Sequence, residues 1–272
     1  MELSVPNVQI FGPAIFLVFA NLFKSFIWSD MGIKVVIPFS GGKDSQSCLK
    51  LAIEKYNRDE ILGLFLDTKW EHPLVYEHIR NIQKDYNVEI KTISAGSVEE
   101  QVLKVGKFPN SFMRFCTDRL KIRPSRDFYK SLSSEIGNFE VWLGIRMGES
   151  YARNKRYKSR IDNELYVPHL INPSFPKLLG NRGVRFKFPL LNWSEYQVKD
   201  YLGDEINPLY NYGFNRVGCF PCLASTPKQH QRCFEYDAFG ARQKQKVIEL
   251  EHAINLKHSP ANTSQLCMFC HI

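Results

Sequence analysis

At 272 residues, with 44% hydrophobic and 13% aromatic content, the chain can bury a sizeable core as one α/β domain, alone or with a small appendage; no low-complexity block or internal repeat marks it as disordered or repetitive. Lys plus Arg number 36 against 28 Asp plus Glu, and the net charge of +8 favours an anionic partner such as a nucleotide, a nucleic acid or a sulfated metabolite. Seven cysteines, at 48, 116, 219, 222, 233, 267 and 270, include two Cys-x-x-Cys pairs, which argues against a disulfide scaffold and for a reduced, cytoplasmic setting with a metal or redox site.

Residues 1–30 read as an apolar N-terminal extension. Val8 to Phe23 is short for a membrane helix, Pro13 interrupts it, and no basic region precedes it as a signal peptide requires. A packed helix, or extra sequence upstream of a start at Met31, is expected in preference to a membrane anchor.

Next comes the most informative stretch. Val35, Val36, Ile37 and Phe39 form an apolar run that ends in Ser40-Gly41-Gly42-Lys43-Asp44-Ser45, and Cys48, Leu49, Leu51, Ala52 and Ile53 then follow a helical stripe. The pattern is strand, glycine loop, helix. Adjacent glycines let the backbone approach a ligand closely, and the unpaired N–H groups and positive dipole end of the helix face the loop. With the hydroxyls of Ser40 and Ser45 and the ammonium of Lys43, the loop suits a pyrophosphate better than an ordinary βα turn does. It is not a Walker A loop, which needs four residues between its glycines.

Ile61 to Leu66 is a continuous apolar run, as expected of a strand buried on both faces, and ends at Asp67-Thr68. Thr68 is expected near an adenosine or as a strand cap. Val75 to Tyr86 predicts a helix and Val88 to Ile93 a third strand, so strand and helix alternate in the doubly wound manner, with ligands at the carboxyl ends of the strands. Cys116 lies among basic residues at 114, 119, 121, 123 and 126, which makes it a metal ligand or a reactive thiol. Val141 to Arg146 predicts another strand; after it Arg146 and Arg153 have the fork geometry for phosphate or sulfate, and Glu149 can orient an arginine or hold a metal ion. Surface ion pairing is the competing reading. The basic stretch 154–187 predicts a mobile flap able to grip a polyanion. A short strand from Phe188, a helix capped by Ser194 and a polar helix from about Phe239 to Leu256 complete the expected elements.

Ser-Gly-Gly-Lys-Asp-Ser resembles the loop of the PP-loop ATP pyrophosphatase superfamily, a resemblance that implies cleavage of ATP between its α and β phosphates. Further blocks run in order: Asp67-Thr68 with Trp70-Glu71-His72-Pro73, Cys116-Thr117-x-x-Leu120-Lys121, Gly144-Ile145-Arg146 with Glu149-Ser150-x-x-Arg153, Pro189-Leu190 with Trp193-Ser194, and Gly218-Cys219-x-x-Cys222. Together they resemble the phosphoadenosine phosphosulfate (PAPS) reductase family, nearest its DNA phosphorothioation sulfurtransferase-like and phage-type members, over about residues 33–233. Two departures matter. The terminus, Cys267-Met268-Phe269-Cys270-His271, matches poorly the Glu-Cys-Gly-Leu-His of the reductases, and an intact Lys43-Asp44-Ser45 favours ATP cleavage over PAPS reduction.

The resemblance implies a doubly wound, mostly parallel, adenine nucleotide alpha hydrolase-like α/β domain at 31–215 and a cysteine-rich metal-binding region at 216–272. Ser40, Gly41, Gly42, Lys43, Asp44, Ser45, Thr68, Gly144 and Glu149 would bind ATP and Mg²⁺, with Lys43, Asp44, Arg146, Arg153 and Cys116 catalytic. Cys116, Cys219, Cys222 and Cys233 would hold a [4Fe-4S] cluster; alternatively Cys219, Cys222, Cys267 and Cys270 would hold Zn²⁺. The expected activity is acceptor adenylation coupled to sulfur transfer onto a nucleic acid. PAPS or adenylyl-sulfate reduction, and a non-catalytic nucleotide-binding module of a defence or modification complex, are the alternatives. The expected partners are an adenine nucleotide and, as further candidates, a nucleic acid, a sulfur-donor protein and a second copy of the chain.

Overall fold

The computed structural model describes residues 32–158 and 164–258; the apolar extension at 1–30 and the pair Cys267 and Cys270 lie outside them. Strands β1 (Val35–Phe39), β2 (Ile61–Asp67), β3 (Glu89–Ser94), β4 (Glu140–Trp142) and β5 (Arg185–Lys187) form one all-parallel sheet in the order β3-β2-β1-β4-β5. Helices α1 (Lys43–Lys55), α2 (Pro73–Tyr86), α3 (Val98–Val105) and α4 (Arg123–Glu135) connect the first four strands.

Strand alternation divides the apolar residues between two cores. Val35, Ile37 and Phe39 of β1 face Cys48, Leu49 and Ala52 of α1 and Val75, Ile79 and Ile82 of α2. Val36 of β1 and Leu62, Leu64 and Leu66 of β2 face Tyr129 and Leu132 of α4, with Phe175, Leu179 and Phe186. Both faces of the sheet are thus covered, and the fold is doubly wound as expected. The direction of strand stepping reverses between β1 and β4, where a sheet of this kind opens a crevice for ligands.

Two expectations change. The strand foreseen at 141–146 stops at Trp142: Leu143 N–H still donates to the Lys187 carbonyl, but Ile145 N–H turns back to the Leu143 carbonyl, carrying residues 143–146 out of the sheet towards the glycine loop. The basic stretch 154–187 is largely built into the molecule. It contains the end of α5 (Tyr151–Tyr157), then α6 (Pro168–Ile171), α7 (Lys177–Asn181) and β5, because Phe175, Leu179, Val184 and Phe186 are needed in the second core. Residues 159–163 lie outside the described set.

Helix α8 (Glu195–Leu202) begins with a capping box: Gln197 N–H donates to Ser194 Oγ at 3.1 Å, and Ser194 N–H to Gln197 Oε1 at 2.8 Å. Helices α9 (Pro208–Asn211), α10 (Pro227–Phe234) and α11 (Ala238–His258) follow. A third core joins Trp70, Val98, Val102 and Leu120 to Leu223, Phe234, Val247, Leu250 and Ile254, fastening this end of the chain beside β2 and α3. Among the described residues no helix is long and apolar enough to cross a membrane.

Helices α1 and α2 are locked by polar groups as well as apolar ones. His78 Nε2 lies 2.9 Å from Gln46 Oε1, and Gln46 Nε2 donates to the Glu205 carbonyl at 2.7 Å. Burial lowers the His78 pKa from 6.5 to about 4. Between those values the unfolded chain binds the proton that the folded chain refuses, so stability falls as pH drops through the window. Urea unfolding should show a loss of up to about 3 kcal/mol between pH 6.5 and 4, with a visibly shallower slope in His78→Gln.

Candidate functional site

The glycine loop joins β1 to α1 at the crevice. Ser40 N–H donates to Ser45 Oγ at 3.1 Å, the two serine hydroxyls are 3.2 Å apart, and Ser45 Oγ donates to the Gly42 carbonyl at 2.9 Å, so both hydroxyls hold the loop in shape. Gly41 has φ of +72°, and a Cβ there would stand 2.9 Å from Val75 Cγ1. Gly144 is needed for a different reason. A Cβ on it would lie 2.8 Å from the backbone carbon of Asp44 and 3.0 Å from Ser45 N, so only glycine lets the strand exit after β4 pass against the start of α1.

That approach delivers Arg146, which is 4% exposed, to Asp44; its Nε donates to Asp44 Oδ1 in a short ion pair. Arg146 N–H donates to Glu149 Oε2 at 3.3 Å, and Glu149 in turn pairs with Arg153. Burial lowers the pKa of Arg153, helped by the nearby Arg216 and opposed by Asp44. Arg146, Arg153 and Arg216 thus gather against two carboxylates, Asp44 and Glu149, an excess of positive charge suited to an anion.

Residues 205–217 cover the loop from the other side. Asn207, fully buried, donates from Nδ2 to the Gly41 carbonyl at 3.0 Å. Lys43 is 4% exposed: its N–H donates to the Tyr210 hydroxyl at 3.1 Å, its ammonium donates to the Asn215 carbonyl at 3.2 Å, and Glu195 Oε1 lies 3.5 Å away. Burial lowers the Lys43 pKa, opposed by Asp44 and Glu195. Sequence reasoning assigned no role to Asn207, Tyr210, Asn215 or Arg216. The available signal was Asn207-Pro208, an N-cap followed by the N1 proline of α9, placed shortly before the cysteines.

Thr68 sits one residue beyond β2, buried, and donates to Glu71 Oε1 at 2.7 Å with Cys219 Sγ 3.5 Å away. Its hydroxyl therefore belongs to the wall of the cysteine site. Trp70 Nε1 donates to the Pro221 carbonyl at 3.0 Å, and Phe220 N–H donates to the Trp70 carbonyl at 2.8 Å, which ties the Cys219–Cys222 turn to the end of β2. Cys116, Cys219 and Cys233 each lie within electrostatic reach of Cys222. Burial raises the pKa of all three, pushing Cys233 up to about 12.

Among the described residues, no three Cys, His, Asp or Glu side chains are grouped closely enough to hold a single metal ion. A [4Fe-4S] cluster takes four thiolates, and Cys116, Cys219, Cys222 and Cys233 would supply that donor chemistry, with Cys116 and Cys219 packed against the same core. The alternative zinc set lies partly outside the described residues.

Between these two centres lies a cavity of ≈ 310 Å³. Leu64, Phe65, Leu66, Ile122 and Ile145 make its walls apolar, Lys121, Ser125 and Arg156 add polar groups, Ser40 of the glycine loop lines it, and so do Glu71 and Gly218 beside Cys219. A mostly apolar cavity with a few convergent polar groups is the ordinary form of a small-molecule site.

Residues 34–225 match the phosphoadenosine phosphosulfate reductase domain, and the chain belongs to that family. An uncharacterized protein of Methanocaldococcus jannaschii is 30% identical over 194 residues, covering 70% of this chain and 36% of its own length. The phosphoadenosine 5'-phosphosulfate reductase of Buchnera aphidicola is 25% identical over 191 residues, covering 67% of this chain and 68% of that enzyme. A crystal structure of phosphoadenylyl-sulfate reductase from Candida auris superposes with a TM-score of 0.45 at 19% identity, over 79% of this chain and 98% of that one. The chain spans less than half the length of the M. jannaschii relatives it matches.

Because the missing Cβ of Gly144 faces backbone rather than a movable side chain, Gly144→Ala should cost about 1–3 kcal/mol and push the loop off Arg146. Titration with a fluorescent adenine nucleotide should show affinity reduced about tenfold or more.

Proposed function

We propose that this member of the phosphoadenosine phosphosulfate reductase family cleaves ATP to AMP and pyrophosphate, adenylating an acceptor that then receives sulfur, and that the acceptor is a nucleic acid. One observation carries this reading: the same cavity is lined by Ser40 of the glycine loop and by Glu71 and Gly218 beside Cys219, so an adenylate made at the loop would stand next to the cysteine centre.

The adenosine would occupy the apolar part of the cavity, with its phosphates on the loop formed by Ser40, Gly41, Gly42, Lys43, Asp44 and Ser45. An acceptor oxygen attacks the α-phosphorus, the bond to the β-phosphate oxygen breaks, and pyrophosphate leaves. The Lys43 ammonium and the first N–H groups of α1 would offset charge on the leaving group, and Arg146 and Arg153 the charge on the adenylyl phosphate. Asp44 and the phosphate oxygens would hold Mg²⁺, which supplies further charge neutralisation. Hydrosulfide released by a donor partner then attacks the atom bearing the adenylated oxygen, AMP leaves with that oxygen, and sulfur stands in its place. Cys116, Cys219, Cys222 and Cys233 would hold a [4Fe-4S] cluster, which supplies sulfur-binding or redox chemistry when bound. The acceptor class is supported by the net charge of +8 and by two cations lining the cavity, Lys121 and Arg156, each set in a basic stretch of the chain, with Arg119 and Arg123 around the first and Arg153 and Lys155 before the second.

Reduction of PAPS is the second reading, favoured by the Buchnera aphidicola relative. Supplying ATP and PAPS in separate assays distinguishes them. Pyrophosphate release from ATP is expected, reduced about 100-fold in Lys43→Ala, whereas sulfite from PAPS without pyrophosphate from ATP would overturn the proposal. Anaerobic purification should give visible absorption and iron, both lost in Cys222→Ser; zinc without visible absorption would overturn the cluster assignment.

A further inference from the structure

The phosphate-facing donors of the glycine loop are already engaged by the chain itself. Lys43 N–H, at the start of α1, donates to the Tyr210 hydroxyl at 3.1 Å. The Lys43 ammonium stands 4.5 Å from the centroid of the Tyr210 ring. Gly42 leaves room for this oxygen, since a Cβ there would lie 3.2 Å from it and 3.4 Å from Ser40 Oγ.

A backbone N–H at the first position of a 13-residue helix, beside a buried ammonium and a glycine that leaves room, is the setting of a bound phosphate oxygen. Here it receives a phenol. Burial raises the Tyr210 pKa well above its ordinary value, so the oxygen is neutral and a weaker acceptor than a phosphate, whose charge-assisted bonds are about twice as strong.

We infer that the Tyr210 hydroxyl is a placeholder for a phosphate oxygen, displaced when a pyrophosphate-bearing ligand enters the loop, and that Tyr210 thereby sets the affinity of the loop for phosphate. The inference rests on the loop being a phosphate site. Tyr210 acts through Lys43 and is a positioning residue. Asn207 anchors its helix to the Gly41 carbonyl, and the chain beyond it runs through Val217 to Cys219, so displacement of the phenol also loosens the segment that leads to the cysteine turn.

Calorimetric titration of the full chain with inorganic pyrophosphate tests this. Tyr210→Phe removes the competing acceptor and should bind about fivefold more tightly than the unaltered protein, although loss of the Lys43 N–H bond lowers its thermal midpoint. Equal or weaker binding by the folded variant would mean that the hydroxyl is merely structural or itself contacts the phosphate, and would overturn the inference while leaving the phosphate site intact. Binding by neither protein would overturn both. Hydrogen exchange on the unaltered chain gives an independent readout if the variant fails to fold: pyrophosphate should speed exchange across 207–217 while slowing it across 40–46. Slower or unchanged exchange across 207–217 would overturn the inference.

Discussion

Arg146 is almost wholly buried, and a guanidinium withdrawn from water is tolerated only with a close counter-charge and satisfied donors. Asp44 provides the counter-charge, and it does so from the first turn of α1, where the helix dipole already favours an anion. Much of the site follows from this pair. It needs the exit from β4 to run against the start of α1, which needs Gly144, and it places Glu149 and Arg153 on the same side of the crevice. The reversal of strand order between β1 and β4 makes the approach topologically available.

The loop is braced from two directions by parts of the chain distant in sequence. On one side stands the Arg146 segment; on the other, Asn207, Tyr210 and Asn215 take up the Gly41 carbonyl, the Lys43 N–H and the Lys43 ammonium. The loop is therefore rigid and its donors are occupied, which preorganises it for an anion while requiring that anion to compete. This second brace leads directly into Gly218 and Cys219.

The cysteine turn is held by the end of β2. Thr68, Trp70 and Glu71 form hydrogen bonds or backbone pairings that carry Cys219 to the edge of the cavity, and the third core packs α10 and α11 behind them. Thr68, read in sequence as a neighbour of adenosine or as a strand-capping hydroxyl, donates to Glu71. The block from Asp67 to Pro73 thus supports the cysteines as much as any nucleotide.

The local chemistry was legible in the amino-acid sequence. Ser40 to Ser45 between an apolar run and a helical stripe specifies a strand, an anion-binding turn and a helix, since glycine conformational freedom and helix-end donors act over a few residues. Continuous apolarity in β2 specified burial on both faces, and the Ser194 cap was readable from Ser-x-x-Gln. Three things depended on contacts between segments more than 100 residues apart. Arg146 finds Asp44, Tyr210 finds Lys43, and Cys219 comes to rest beside Thr68 only once the parallel sheet has ordered its strands. The basic stretch 154–187 shows the same limit, because its charges suggested a solvated flap while Phe175, Leu179 and Phe186 were claimed by a core assembled elsewhere. Sequence pattern determines what each segment can bind; which segments share a site is decided by packing, because burial free energy is gained only when distant apolar faces meet.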